Sequence, residues 1–165
     1  MGALEPPCPA CGQALRTTGI SGVSLRVCGQ CHGTLIGQVD MIRTLEAMSA
    51  ELLATVDPDV KLTPVGKADG KVSCPSCHKE MARDDYCGAG LAHFDRCEPC
   101  RLLWLGADAL GTMTMMWARM ERRLERSHKA TEEALAEADS FVGTLLHGRR
   151  AVVGHATSLV LMRLL

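Results

Sequence analysis

Residues 8–31 read CPACGQALRTTGISGVSLRVCGQC, and residues 74–100 read CPSCHKEMARDDYCGAGLAHFDRCEPC. Each stretch opens and closes on a C-x2-C pair. Sixteen residues separate Cys11 from Cys28, and nineteen separate Cys77 from Cys97. Two such pairs, about 15–20 residues apart, carry the signature of a zinc site. The reason is geometric. A C-x2-C turn aims two thiolates at one metal, and a second turn completes a tetrahedron with Zn–S bonds of about 2.3 Å. Four thiolates leave no position for water or substrate, so each site reads as structural. The spacing therefore predicts two zinc ions per chain. Cys8, Cys11, Cys28 and Cys31 hold one, and Cys74, Cys77, Cys97 and Cys100 hold the other.

The surroundings of the cysteines agree. Pro9, Pro75 and Pro99 restrict the turns, and Gly12 and Gly29 permit the backbone angles of tight turns. Leu15, Ile20, Val23, Leu25 and Val27, with Gly19 and Gly22 between, read as strand, turn, strand. Met81, Leu91, His93 and Phe94 around Gly88 and Gly90 read the same way. An apolar patch follows each copy, Leu35-Ile36 and Leu102-Leu103-Trp104-Leu105, and a helical pattern follows each patch. The chain is read as a tandem repeat of ribbon plus helix.

CPACGQAL…VCGQCHGTLI and CPSCHKEM…RCEPCRLLWL resemble the transcription factor IIB type zinc-finger family, whose pattern is CPxC, a hairpin, CxxCxGxWLD and a helix. The resemblance covers residues 8–46 and 74–112 and implies zinc on the eight cysteines, four to each ion. The chain departs from the pattern at four places. Gly37 and Gly106 stand where the family has Asp, Leu35 stands where copy two keeps Trp104, and Leu102 replaces a Gly.

The expected fold class is a small zinc-dependent α+β protein of two four-cysteine ribbons, each followed by a helix, plus a long C-terminal helix. The expected division is ribbon one with its helix over 1–56, a linker over 57–73, ribbon two over 74–107, a long amphipathic helix over 108–147 and an apolar tail helix over 148–165. The first helix is read over 40–55, where Met41, Leu45, Met48 and Leu52 share a face and Asp40 or Gln38 caps the start. Residues 57–73 hold two prolines, two glycines and many charges. With that linker between them, Cys11→Ser or Cys77→Ser is expected to collapse its own ribbon alone. Each ribbon has only about 40 residues, a size at which a hydrophobic core rarely suffices without a metal.

In the long helix, Leu110, Met113, Trp117, Met120 and Leu124 form an apolar seam at a and d positions. Met113, Trp117, Met120 and Leu124 are the candidate partner-binding residues. The alternative is ordinary helix core. Residues 111–129 carry five basic and two acidic side chains, and residues 130–142 carry four acidic and none basic. An antiparallel pairing of two copies through 108–146 would set these blocks against each other. A break is expected at His147-Gly148-Arg149-Arg150. The tail AVVGHATSLVLMRLL is shorter than the roughly 18–20 apolar residues of a membrane span. It reads as a packing helix, with a surface-lying amphipathic helix as the alternative.

Cys87 is the ninth cysteine, read as a turn residue or small buried hydrophobe against a redox-active thiol or competing ligand. His32, His78 and His93 are read as surface groups, because each site already has four cysteines. No phosphate loop, H-E-x-x-H or G-x-S-x-G is present. Net charge is −1 and aromatics are 3%, which disfavours a dedicated nucleic-acid binder. The start, MGALEPPCPACG, lacks a charged n-region and an apolar h-region, so a cytoplasmic protein is expected. The expected function is a non-enzymatic zinc protein that binds a protein partner. The alternatives are a nucleic-acid or transcription-associated module and a thiol-based redox or zinc-release sensor.

Overall fold

A computed structural model of the chain describes residues 5–65 and 70–161, with side chains described as far as Val142. Strands β1 (Leu15–Ile20) and β2 (Val23–Cys28) form the first hairpin, and β3 (Thr34–Gly37) and helix α1 (Met41–Ser49) follow it. Strands β4 (Ala82–Asp85) and β5 (His93–Cys97) form the second hairpin, then come β6 (Leu102–Leu105) and helix α2 (Ala109–Leu161). The duplication read from the cysteines is therefore present element by element.

The two ribbons are not separate bodies. All six strands form one sheet in the order β1-β2-β3-β6-β5-β4. Its centre is the antiparallel pair β3–β6, where Thr34 faces Leu105, Leu35 faces Trp104, Ile36 faces Leu103 and Gly37 faces Leu102. Counting from Cys31 and Cys100, Leu35 and Trp104 occupy the same position in their repeats. They sit opposite each other at the point about which the two repeats are related by an approximate two-fold. This corrects the expectation of independent ribbons across a linker. Each half-sheet ends on a short apolar strand with an open edge, and the two edges satisfy each other's backbone groups.

The linker reading is corrected too. Residues 57–73 are anchored where they are described. Pro58 and Val72 are buried. The Arg119 guanidinium donates to the Pro58 carbonyl at 3.1 and 2.8 Å. The Val65 N–H donates to Leu91 O at 3.0 Å. Residues 66–69 of this segment lie outside the described residues.

Strand alternation sends side chains to two faces. One face carries Val23, Leu25, Ile36, Leu103 and Leu105, which pack with Met41 and Leu45 of α1 and with Ala109 and Met113 of α2. The other face carries Leu15, Leu35, Met81 and Trp104, packed with Cys8, Cys28, Cys74 and Cys97. One core thus joins the helices to the sheet, and a second is built around the cysteines of both sites.

Helix α1 is shorter than read from the sequence and begins without a side-chain cap from Asp40. The Asp40 carboxylate instead lies over Gly37, where an added Cβ would meet it at 2.9 Å. The Ser49 hydroxyl donates to Glu121 Oε2 at 3.2 Å, and the Thr114 hydroxyl reaches Met48 Sδ at 3.8 Å. The opening turns of α2 are thereby tied to α1. Helix α2 continues through residues 147–150, so the expected break there is absent and the tail is its continuation as far as Leu161. The chain divides into two compact units, Met1–Arg122 and Arg123–Leu165. The expected roles of the tail's side chains lie outside the described residues. Among the described residues, no helix is long and apolar enough to cross a membrane.

Candidate metal centres

Each centre is assembled by two C-x2-C turns, and three of the four close with the same hydrogen bond. The Gly12, His32 and His78 N–H groups donate to the carbonyls of Cys8, Cys28 and Cys74 at 2.9, 3.0 and 2.8 Å. The Arg101 N–H instead donates to Glu98 O at 3.2 Å. The residue after each C-x2-C pair stands in the left-handed region, with φ of 78° at Gly12, 57° at His32, 59° at His78 and 50° at Arg101. The turn imposes that angle whatever residue occupies the position. Gly29, expected to supply an unusual angle, has no positive φ, and the adaptation falls on His32 instead. Sequence reading missed this because a histidine gives no turn signal of its own.

The turns bring Cys8, Cys11, Cys28 and Cys31 together, and likewise Cys74, Cys77, Cys97 and Cys100. Within each set the four Sγ atoms all lie within 4.8 Å of one another. The Cys8–Cys31 and Cys11–Cys28 sulfurs are 3.5 Å apart, and the Cys77–Cys97 sulfurs 3.6 Å. A tetrahedron with Zn–S bonds of about 2.3 Å has edges of about 3.8 Å. A disulfide would need about 2.05 Å, and all nine cysteines are free thiols. The donor set, its number and its spacing fit two zinc ions. Cys8, Cys28, Cys74 and Cys97 are buried, whereas Cys11 of the first site is exposed.

The backbone prepares the sulfurs for metal. The Cys31 N–H donates to Cys28 Sγ at 3.5 Å and, as the largest influence, helps hold that thiol down to about 6. The Lys79 N–H does the same for Cys77, which falls to about 7. Burial pushes Cys8 up to about 12, and the hydrogen bond with the Cys77 thiol pushes Cys100 up to about 12. Without metal, therefore, each cluster retains protons at neutral pH. Zinc needs thiolates, so every retained proton competes with it. Affinity rises with pH and is lost on acidification. Zinc release followed with a chromogenic chelator is expected to be steep in pH, with more than one proton taken up per ion. A release curve independent of pH between 5 and 8 would contradict thiolate ligation.

The other sequence-singled residues separate clearly. Cys87 is exposed in the β4–β5 turn at φ 58° and belongs to neither cluster. Among the described residues, no histidine joins either cluster. Met113, expected on a partner surface, is fully buried in the chain's own core, because the first turns of α2 lie on the sheet. Trp117 packs partly against the same core, and its indole N–H has no hydrogen-bond partner among the described residues. Only Met120 and Leu124 of the proposed four are exposed, at 44% and 52%.

A family model described as "Transcription factor zinc-finger" matches residues 7–47. The match covers ribbon one with α1. The second cluster rests on its own geometry, which repeats the first. No curated protein and no solved structure is significantly similar to the chain.

Proposed function

We propose that this protein is a non-enzymatic, zinc-stabilised module that binds a protein partner. The observation that carries the reading is the closure of both metal sites. Each offers four thiolates on two facing turns, with the buried cysteines packed into one core, so zinc serves the fold and not a substrate. Electrostatics point the same way. Four thiolates and one dication leave each site at −2, which takes the formal −1 of the chain to −5. A chain of that charge repels phosphate backbones. Free thiols across the chain suit a reducing compartment such as the cytoplasm.

The zinc-loaded protein, immobilised, is expected to retain a defined protein that the metal-free chain does not retain. The family match to ribbon one favours a second reading, a transcription-associated nucleic-acid binder. A salt-dependent mobility shift with DNA or RNA, and no retained protein, would establish that reading in place of the first.

A further inference from the structure

Every described side chain of residues 123–142 is exposed. Three large apolar ones, Leu124 at 52%, Leu135 at 63% and Val142 at 52%, lie eleven and seven residues apart. They belong to the series Leu124, His128, Thr131, Leu135, Ala138 and Val142, whose steps alternate four and three residues. That is the 3.5-residue repeat of a seam between two helices. It differs from the seam through Met113 and Trp117, which the chain's own core has absorbed. Directly beside it runs a second row, Glu125, Glu132 and Asp139, spaced by seven. The opposite border is uncharged, with Ser127, Ala134 and Phe141. The pattern is a stripe of Leu124, Leu135, Ala138 and Val142 interrupted by His128 and Thr131, with one acidic margin, on about 30 Å of helix at 1.5 Å per residue.

We infer that this face receives an amphipathic helix of another protein, one whose apolar stripe is bordered by lysine or arginine. The inference rests on the interaction reading and names the chemistry of the partner. Border charges decide which helices pair and in which direction. A second copy is a poor match. In an antiparallel pair the acidic margin lies along itself, so Glu132 faces Glu132 and Glu125 faces Asp139. In a parallel pair the margin lies along Ser127, Ala134 and Phe141, and no opposite charge is met. A basic margin on the partner lies opposite Glu125, Glu132 and Asp139 and meets the sign of that whole border.

The test uses the zinc-loaded full chain and two labelled three-heptad helical peptides with leucine at a and d, one with lysine and one with glutamate at the bordering positions. Fluorescence anisotropy is expected to show the lysine peptide bound at least about tenfold more tightly than the glutamate peptide, the scale of a few opposite-charge contacts. The triple variant Glu125→Lys, Glu132→Lys, Asp139→Lys is expected to invert that preference. Leu124→Ser with Leu135→Ser is expected to abolish binding while zinc stays at two per chain, which shows the fold intact. Lysine-peptide binding that survives the double serine variant would reduce the effect to general charge attraction and overturn the inference. So would a dimer in sedimentation that the same variant dissolves, because a second copy would then be the occupant. Binding of neither peptide also overturns it. The wider interaction reading is decided separately, by zinc-dependent retention of a partner.

Discussion

Cys28→Ser is expected to release both zinc ions, not only the one it helps to bind. Cys28 is fully buried in the core that also holds Cys74, Cys97, Leu35 and Trp104. That core spans both ribbons, and its floor is the β3–β6 pair. A structural four-cysteine zinc contributes about 10–16 kcal/mol of apparent binding energy at neutral pH. The net stability of a domain is only about 5–15 kcal/mol. Loss of one site removes more than the shared core has to spare, so the second hairpin loses the surface it packs on. Zinc content of the soluble variant is expected to fall toward zero, with loss of the sheet signal in circular dichroism. Cys74→Ser is expected to do the same from the other side. A variant that keeps one zinc and half the sheet would show two independent ribbons, the behaviour expected from the linker composition alone.

The second large effect is expected at Gly33. A Cβ there would lie 2.2 Å from Trp104 Cζ2, 2.5 Å from Cη2 and 3.0 Å from the Leu105 carbonyl. Trp104 is 2% exposed and packed on all sides, so it has little room to withdraw. Gly33→Ala is therefore expected to cost about 3 kcal/mol, the upper end for overpacking a core. Trp104→Leu alone leaves a cavity and is expected to cost about 2–4 kcal/mol, in the range of large-to-small core changes. Together they are expected to cost less than their sum, because the leucine vacates the space the alanine enters. Denaturant unfolding of the two single variants and the double variant measures this. Strict additivity would mean that the two positions do not share one space.

The same contact accounts for two departures from the family pattern. Counting from the second cysteine pair, Leu102 is the counterpart of Gly33, and Leu35 is the counterpart of Trp104. Where one repeat presents the large tryptophan, the facing strand supplies glycine. Where the other repeat presents the smaller leucine, the facing strand carries leucine. The asymmetry is thus compensated across the junction. Asp40 similarly fills the space above Gly37, where the pattern would place an Asp.

The eight cysteines, their division into two sets and the hairpins were legible in the residues alone; the stretch after each ribbon was legible as an apolar patch and not as a strand. The reason is that C-x2-C turns and period-two strands are local. Three or four neighbouring residues dictate them, and the metal set needs only the right number of thiols at the right separation. The left-handed residue after each C-x2-C pair is equally local, but His32, His78 and Arg101 carry no marker of it.

Long-range packing decided the rest. Composition made 57–73 a linker, yet two sheet edges that pair across it join the ribbons, and edge pairing depends on where strands meet in space. Periodicity made Met113 and Trp117 part of one seam with Leu124. Whether an apolar helix position meets the chain's own sheet or faces outward depends on how far that sheet extends along the helix. In this chain it reaches Met113 and, in part, Trp117. The sequence alone determined where the metal goes. The tertiary structure decided that both metals hold one core, because burial is a property of the whole chain and ligand spacing is not.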